Sequence, residues 1–172
     1  MELVVARNEL CYIGDDKNGL LYHIKDDMKH FRRSTKGHIV LMGHNTFESL
    51  PNGPLPNRIH IVLTRNANTD TGSNTTVYFS DLEHYEELFM RIKQPQQKLF
   101  VIGGGIIYDL LWKKCSILHI THICDSKIGN VKWDASYHEI EEQFDKKESV
   151  YKHCEGSGLD YIFIEYEKKC VV

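Results

Sequence analysis

The chain has 172 residues, 41% of them hydrophobic and 26% charged, and 21 Lys and Arg against 24 Asp and Glu give a net charge of −3. These values are typical of a soluble globular protein, and we expect one domain over residues 1–172. They exclude a disordered, collagen-like or coiled-coil chain. Without a basic excess, a long apolar run or a secretory signal, the sequence predicts no nucleic-acid partner and no membrane segment.

Neither the cysteines nor the histidines predict a metal site. The five cysteines are scattered without a CxxC spacing, at Cys11, Cys115, Cys124, Cys154 and Cys170. An odd, scattered set favours reduced thiols and a cytoplasmic location. His119 and His122 lie in a strand-like run, where residues three apart face opposite sides of a sheet. We therefore expect no bound metal.

Strand-like and helix-like segments alternate from the first residues onward. Apolar runs predict strands at 3–6, 39–42, 59–63 and 99–102, and continuous runs of this kind are typical of a parallel sheet buried on both faces. Helical spacing predicts helices at 24–31, 82–92 and 106–112, the second opening with the capping-box sequence at 80–83. Residues 66–76 are rich in Asn and Thr and predict a solvated loop.

The chain after residue 117 has no clear helical periodicity. We expect strands there, with the segment 161–166 paired in a hairpin through the turn at 156–158. The complete order predicts an α/β fold. We expect a single domain with a mostly parallel central β-sheet, an antiparallel C-terminal edge strand and about four flanking helices.

The sharpest local feature is the glycine run 103–105, between a buried strand and a helix. Glycines let the backbone approach a ligand closely, and a helix N-terminus offers free N–H groups to an anion. The alternative is a tight turn, but one glycine would serve that need, so we favour phosphate binding. Strand ends at 43–46 and at Thr64-Arg65 offer further anion-binding groups. Three such ends suit an extended dinucleotide better than an isolated phosphate.

The two adjacent carboxylates Asp26 and Asp27 differ in their predicted surroundings. At about 100° per helical residue, Asp27 lies on the flank of the apolar arc formed by Ile24, Met28 and Phe31, whereas Asp26 faces away from it. Asp26 is expected to be a solvated acid near the helix N-terminus. A carboxylate placed as Asp27 needs a partner or has a raised pKa.

In this order, the segments resemble the dihydrofolate reductase family over nearly the whole chain. The most specific matches are Ile13-Gly14, residues 18–23, Asp27 with Phe31, and the segments 42–49, 54–58, 62–65, 101–108 and 118–123. The resemblance implies reduction of 7,8-dihydrofolate to tetrahydrofolate by NADPH, for one-carbon and thymidylate metabolism. It also implies a cytoplasmic monomer that binds antifolate inhibitors.

The resemblance implies a role for three groups of residues. Catalysis would depend on Leu20, Tyr22, Asp27 and Thr121, with Asp27 holding the pterin's amidine edge. Substrate binding would involve Val5, Met28, Phe31, Arg32, Leu50, Leu55, Arg58, Ile102 and Tyr108, with Arg58 on the glutamate α-carboxylate. NADPH binding would involve Ala6, Ile13, Gly14, Gly43, His44, Asn45, Thr46, Leu63, Thr64, Arg65, Gly103, Gly104, Gly105, Ile106 and Ile107. A cis peptide joins the first two glycines in the family, and residues 15–21 would form a mobile lid.

Several positions depart from the family pattern. Leu21-Tyr22 replaces the usual Pro-Trp, and Tyr22 would take over an indole's bond to a water near the carboxylate. Asn130 replaces an acid that holds the lid, and Ile106 replaces a common Arg. Residues 131–136 are similar to phage-encoded members, which would place the protein in a host cytoplasm.

Two other functions stay open at this stage. A pyrimidinone reductase of riboflavin synthesis shares the fold and the glycine turn, although Asp27, Phe31 and the segment 54–58 argue against it. A module that binds NADP but has lost turnover is the non-enzymatic alternative, and the departures at Leu21-Tyr22 and Asn130 keep it open.

Overall fold

A computed structural model describes residues 1–15, 19–65 and 76–170. Eleven strands lie in these residues: β1 (Glu2–Asn8), β2 (Tyr12–Asp15), β3 (Gly19–Leu20), β4 (Ile39–Gly43), β5 (Ile59–Leu63), β6 (Val77–Ser80), β7 (Leu99–Gly103), β8 (Ile117–Ile123), β9 (Val131–Lys132), β10 (Phe144–Cys154) and β11 (Leu159–Lys168). The α-helices are α1 (Lys25–Thr35), α2 (His44–Glu48), α3 (Tyr85–Ile92), α4 (Gly105–Leu111) and α5 (Tyr137–Gln143). None of these helices is long and apolar enough to span a membrane.

Eight strands form the central sheet in the order β10-β11-β8-β1-β7-β4-β5-β6. Every neighbouring pair from β8 to β6 is parallel, whereas β11 runs antiparallel to both β8 and β10. This confirms the predicted mostly parallel sheet with antiparallel C-terminal pairing. Except for Thr76, the loop predicted at 66–76 lies outside the described residues.

Alternation along the strands divides the core between the two faces of the sheet. Leu3 and Val5 of β1 pack in a large cluster with side chains of α3, α4 and α5. Val4, between them, packs in a second cluster with Phe31 of α1 and Phe47 of α2. Successive side chains of a strand point to opposite faces, so α1 and α2 cover the face opposite to α3 and α4.

The helix count and one helix start differ from the prediction. Ser80 ends β6 and is buried, and Oδ1 of Asp81 accepts the N–H groups of Glu83 and His84 at 3.0 and 2.9 Å. The capping box predicted at 80–83 is therefore wrong, and α3 begins at Tyr85. The described residues hold five α-helices rather than about four, because α5 has two turns and shows too little periodicity to be recognised.

The end of the sheet is formed by β10, most of which is exposed. Of its eleven residues, Phe144 is buried, Val150 and Cys154 are intermediate, and the others are exposed. Its register with β11 shifts between Lys146 and Glu148, which indicates a bulge. This strand contributes one anchor, Phe144, to the large cluster and otherwise forms a polar border.

A second, smaller sheet of order β3-β2-β9 lies beside the central one. The buried Arg7 of β1 connects the central sheet to the segment that follows β9. Arg7 of β1 is 1% exposed, with its guanidinium carbon 4.6 Å from the ring centroids of both Trp133 and Tyr137. Its Nη1 donates to the carbonyl oxygens of Trp133, at 3.1 Å, and Ala135. Among the described residues, no carboxylate lies within 4.0 Å of Arg7, so backbone carbonyls and aromatic rings stabilise its charge.

Arg7→Ala should reduce the free energy of unfolding by about 3 kcal/mol, since it leaves a cavity and two buried carbonyl groups without donors. Arg7→Met restores most of the volume but no donor. Its free energy of unfolding should lie between those of wild type and Arg7→Ala. Urea unfolding followed by circular dichroism measures both. The exposed Arg91→Ala is the control and should change stability by less than about 0.5 kcal/mol. An equal effect of the Arg7 and Arg91 substitutions would contradict this account.

Candidate active site

The carboxyl ends of the parallel strands meet at one edge of the sheet, where the predicted anion-binding segments come together. The register pairs Gly43 with Leu63 and Met42 with Gly103. Consequently the segment 43–46, the pair Thr64-Arg65 and the glycine run 103–105 follow neighbouring strands. This is the edge at which open α/β sheets bind ligands.

The glycine run has the close-packed geometry that its sequence predicts. Gly103 has φ +114°, and a cis peptide joins it to Gly104, as the family resemblance implies. A Cβ at Gly104 would lie 3.0 Å from the Thr46 hydroxyl oxygen, so this hydroxyl faces the turn. A Cβ at Gly105 would collide with the Lys132 carbonyl oxygen. The turn therefore has no room for side chains and presents its backbone.

Two helix N-termini begin at this edge without side-chain caps. Gly43 is the N-cap of α2 and Gly104 the N-cap of α4, and neither helix has a side-chain cap hydrogen bond. The two starts are in contact, because a Cβ at Gly43 would lie 3.1 Å from Cγ1 of Ile107. First-turn N–H groups without caps are donors for an anion. With the Thr46 hydroxyl, they fit the pyrophosphate of a dinucleotide.

On the α1 side of the same edge, Asp27 forms a short hydrogen bond with β8. The Thr121 hydroxyl donates to Oδ1 of Asp27 at 2.6 Å. Register places Thr121 beside Ala6 of β1, so the pair lies at the carboxyl ends of two strands. Asp27 is half-buried and Asp26 exposed, which confirms the predicted helix faces. Asp26 instead pairs with Lys29 at 3.2 Å.

Burial controls the charge of Asp27. Removal from water raises the pKa of its carboxyl group, and the hydrogen bond from Thr121 opposes that rise. Tyr108 lies close enough that the Asp27 charge adds to burial in raising the pKa of the phenol. The Tyr108 hydroxyl donates instead to the Val4 carbonyl oxygen at 2.8 Å, and its ring lies under Gly103. Asp27 thus keeps acceptor positions for another molecule in a desolvated setting.

The predicted substrate-binding residues are divided by the sheet. Phe31, Leu50 and Ile102 are partly buried in the cluster that contains Val4 and Met42. Leu55 is half-buried, Met28 is 38% exposed and Arg32 is exposed. Val5 lies in the other cluster, on the face opposite to Phe31. Val5 thus shares its face of the sheet with Tyr108, and its contact with the pterin stays a prediction, whereas Val4 is the β1 residue on the Phe31 side.

Arg58 is a buried cation without a protein carboxylate. It is 7% exposed, its Nη1 donates to the Thr35 hydroxyl at 2.9 Å and its Nε to the Pro56 carbonyl oxygen at 3.2 Å. Its guanidinium carbon lies 5.8 Å from the Phe31 ring centroid. Within residues 1–15, 19–65 and 76–170 no carboxylate lies within 4.0 Å of it. Burial, with the charge of Arg32, lowers the pKa of Arg58.

The Tyr22 hydroxyl takes part in a hydrogen-bond network that the sequence does not reveal. Its hydroxyl donates to Oδ2 of Asp125 at 2.6 Å and accepts from Nδ2 of Asn8 at 3.0 Å. Burial and the Asp125 hydrogen bond raise the pKa of Tyr22. The hydroxyl thus connects the segment before α1 to the end of β1 and to Asp125, and its predicted bond to a water near the Asp27 carboxylate stays a prediction.

The predicted lid begins on the small sheet. Gly14 of β2 is buried and pairs with Leu20 of β3, whose side chain is 48% exposed. The Asn130 N–H donates to the Gly14 carbonyl oxygen at 3.3 Å, and β9 pairs with β2. Residues 16–18 of the predicted lid lie outside the described residues. Of the nicotinamide-flanking positions, Ala6 and Ile13 are partly buried.

The remaining predicted cofactor residues lie at the rim of the sheet edge. His44, Asn45 and Arg65 are exposed, Thr64 is half-buried, Leu63 is buried and Ile106 is 76% exposed. Nδ1 of His44 is 3.5 Å from Oε2 of Glu48, so a carboxylate lies beside the proposed phosphate contact. Among the described residues, no three His, Cys, Asp or Glu side chains are grouped as metal ligands.

Sequence reasoning missed four residues that shape this region. Val4 follows from strand alternation once the buried face is known, and Thr35 lies four residues after Phe31 on the same helix face. Asn8 and Asp125, which bond to Tyr22, lie 14 and 103 residues from it along the chain. No local pattern could have identified these two.

Comparisons with known proteins agree on one family. The family model described as dihydrofolate reductase matches residues 1–168. The dihydrofolate reductase of Bacillus subtilis is 34% identical over 171 residues, 98% of this chain and 95% of that protein. A bifunctional dihydrofolate reductase-thymidylate synthase of Paramecium tetraurelia is 37% identical over 109 residues, 62% of this chain but 22% of that longer protein.

A solved structure shares the whole fold. Dihydrofolate reductase from Enterococcus faecalis, complexed with NADP(H) and RAB-propyl, has a TM-score of 0.80 and 24% identity, with coverage of 98% of this chain and 96% of that one. The sheet edge with its paired helix starts fits a dinucleotide, and the family match defines the class as an oxidoreductase that uses a nicotinamide dinucleotide. Because the family model spans nearly the whole chain, the protein belongs to the dihydrofolate reductase family, whose members use NADPH.

The raised pKa of Asp27 predicts a pH-dependent effect of Asp27→Asn on stability. A carboxyl group with a raised folded-state pKa lowers stability as pH rises through that pKa, whereas asparagine does not titrate. The unliganded Asp27→Asn protein should therefore gain stability relative to wild type between about pH 4 and neutral pH. Urea unfolding at several pH values measures the difference. Asp26→Asn should show no such gain, because Lys29 lowers the pKa of Asp26. Identical pH profiles for the two variants would refute the burial effect.

Proposed function

We propose that the protein reduces 7,8-dihydrofolate to 5,6,7,8-tetrahydrofolate at the sheet edge beside Asp27. The observation that carries this proposal is the half-buried Asp27 carboxylate, held at 2.6 Å by Thr121 and otherwise open to an incoming donor pair. An amidine edge offers two N–H groups to one carboxylate, a charge-assisted, bidentate arrangement. The resulting tetrahydrofolate would supply one-carbon and thymidylate metabolism.

In this proposal, Asp27 and Thr121 orient the pterin, and NADPH supplies the hydride when bound. Thr121 fixes the Asp27 carboxylate through Oδ1, so the pterin ring takes a defined position against Val4, Phe31 and Ile102. Asp27 is committed to the amidine edge, and water carries the proton to N5. Leu20 and the hairpin of β2 and β3 exclude bulk water, which strengthens the electrostatic interactions nearby.

We assign the tail of the substrate to Arg58. A buried guanidinium without a protein carboxylate needs an anion, and the α-carboxylate of the glutamyl tail provides one. Thr35 and Pro56 hold Arg58 by its Nη1 and Nε, which orients the planar fork. Leu50, Leu55 and Met28 would contact the benzoyl group between pterin and tail.

The proposed cofactor contacts divide between backbone and side chains. The N-termini of α2 and α4, with Thr46, would hold the pyrophosphate, and Ala6, Ile13 and Gly14 would flank the nicotinamide. His44 and Arg65 would contact the 2′-phosphate and select NADPH over NADH. Glu48, 3.5 Å from His44, opposes a phosphate dianion at this position, so Arg65 would supply most of the selectivity.

Asp27→Asn tests the proposal directly. Loss of a charge-assisted pair costs about 2–4 kcal/mol of transition-state stabilisation, which lowers kcat/KM about 30- to 1,000-fold. Part of the activity should return at low pH, where the substrate is already protonated. NADPH oxidation with dihydrofolate measures the rate, and Asp26→Asn is the matched control with little expected change. Wild-type protein that binds NADPH and methotrexate without turnover would identify a non-catalytic module instead.

Arg58→Lys separates tail binding from chemistry. Lysine keeps the charge but loses the planar fork, so KM for dihydrofolate should rise about tenfold while kcat changes little. A reducible pteridine without the glutamyl tail serves as the control substrate, and its kinetics should not respond. Equal losses with both substrates would show that Arg58 has a structural role only.

A further inference from the structure

Two histidines face each other between α1 and the central sheet, next to Asp27. The ring centroids of His30 and His119 lie 5.9 Å apart, with an angle of 61° between the rings. His30 follows Asp27 by three residues on α1. His119 precedes Thr121 by two residues on β8. Residues at these spacings share a face of a helix and of a strand, so the histidine pair lies beside the Asp27–Thr121 hydrogen bond.

His119 is held by two carboxylates. Its Nε2 is 3.0 Å from Oε2 of Glu2, and its Nδ1 is 3.4 Å from Oε2 of Glu165. An imidazole ring donates from both nitrogens only when it carries a positive charge. Glu2 is buried and also pairs with Lys98 at 2.6 Å. Although burial raises the pKa of Glu2, the hydrogen bonds from His119 and Lys98 lower it to about 2, so this carboxylate is an anion at neutral and mildly acidic pH.

His30 has no such partner. In the part of the chain that the structure describes, no carboxylate lies within 4.0 Å of its ring nitrogens. Its ring packs on Phe163 of β11, with the centroids 4.9 Å apart. Burial, together with the charges of His119 and Arg33, lowers the pKa of His30. The ring is therefore neutral at neutral pH. As pH falls below about 6.5, the ordinary pKa of histidine, the stability that depends on this neutral packing is lost, and the ring gains a charge beside His119.

Both carboxylates and cations surround His30. They are Asp27 and Arg33 on α1, His119 on β8, Glu165 on β11, Glu148 on β10 and, beyond His119, Glu2 with Lys98. Glu2 and Glu165 are already paired with His119. Glu148 is exposed, so solvent screens its charge. Burial and repulsion therefore outweigh the attraction of these carboxylates for a charged His30.

The packing beside the histidine pair leaves room for movement. A cavity of about 40 Å³ is lined by both rings and by Phe163, Ile164 and Glu165 of β11, among others. A space of this size can hold a water molecule, which a charged imidazole ring would bind. The pair can therefore separate without a rearrangement of the surrounding core.

We propose that His30 is a positioning residue for Asp27, and that its neutral ring, packed between His119 and Phe163, sets how closely α1 lies on β8. The inference rests on the proposed function and adds a regulation of the same site by pH. When His30 gains a proton, repulsion from His119 moves this part of α1 away from the sheet. The Asp27 carboxylate, one turn earlier on α1, then leaves the position in which Thr121 holds it, and pterin binding weakens.

The test compares His30→Phe with wild type at two pH values. Phenylalanine keeps an aromatic ring against Phe163 but cannot gain a proton. The measured quantity is kcat/KM for dihydrofolate of the variant divided by that of wild type, at about pH 8 and about pH 5, on either side of the ordinary histidine pKa. This division removes the effect of pH on the substrate itself. We expect the ratio to rise about three- to tenfold from the higher pH to the lower, because one pair of like charges at a half-buried position has a modest effect.

Two further variants separate charge from packing. His30→Gln also cannot titrate but loses the aromatic contact, so its ratio should show the same rise from a lower starting value. His138→Phe is the matched control, because His138 is exposed on α5, on the opposite face of the sheet, and pairs with Glu142 at 3.5 Å. Its ratio should be the same at both pH values. Circular dichroism at each pH verifies that the variants are folded.

The dissociation constant of methotrexate, measured by fluorescence quenching at the same pH values, is a second readout that requires Asp27 but no turnover. The wild-type value divided by that of His30→Phe should rise with falling pH as the kinetic ratio does. Ratios that stay constant for both His30 variants, or an equal rise for His138→Phe, would overturn the proposal. Wild-type protein that binds methotrexate without turnover would refute the proposed function, and the binding ratio would then decide the role of His30 on its own.

Discussion

The site depends on one hydrogen bond, the 2.6 Å contact from the Thr121 hydroxyl to Asp27. It joins α1 to β8, at the edge of the sheet where the parallel strands end. Burial makes the carboxylate costly to keep charged, and the threonine offsets part of that cost. The remaining acceptor positions of Asp27 are then available to a ligand. The other proposed ligand contacts depend on the position that this hydrogen bond gives to Asp27.

Around this hydrogen bond, different helices provide the groups that fit different ligands. The starts of α2 and α4 offer backbone N–H groups, which fit phosphate. Helix α1 carries the Asp27 carboxylate near its start, and its last residue, Thr35, accepts a hydrogen bond from Arg58. Backbone donors suit a ligand of fixed negative charge, and side chains of both signs suit an amphoteric one. In the proposed function, the dinucleotide and the substrate would therefore lie side by side at one edge of the sheet.

Most of the central sheet and some features of the candidate site follow from local sequence patterns. Continuous apolar runs at 39–42 and 99–102 predict buried parallel strands, and helical phase alone separates Asp27 from Asp26. The glycine run 103–105 predicts a close approach of other atoms to its backbone. The structure shows this approach, since a Cβ at any of the three positions would crowd a neighbouring atom. Each of these properties is set by residues within a few positions of one another.

What the sequence does not predict depends on residues distant along the chain. The Asp125 partner of Tyr22 and the aromatic partners of Arg7 lie more than one hundred residues away from them. A buried arginine without a carboxylate has no local signature, and the facing of Val4 rather than Val5 depends on which side α1 takes. The capping box of α5, formed by Ser136 and Glu139, lies in a helix too short to show a period.

The exposed border strand β10 has a consequence for how molecules of this protein behave toward one another. An unpaired edge invites a strand from a second molecule and so promotes aggregation. Here the edge carries exposed charges, among them Lys146, Lys147 and Lys152, and a bulge interrupts its regular hydrogen bonding. Adding a strand would bring like charges together across an irregular border. These features disfavour the addition of a strand from a second molecule at this edge.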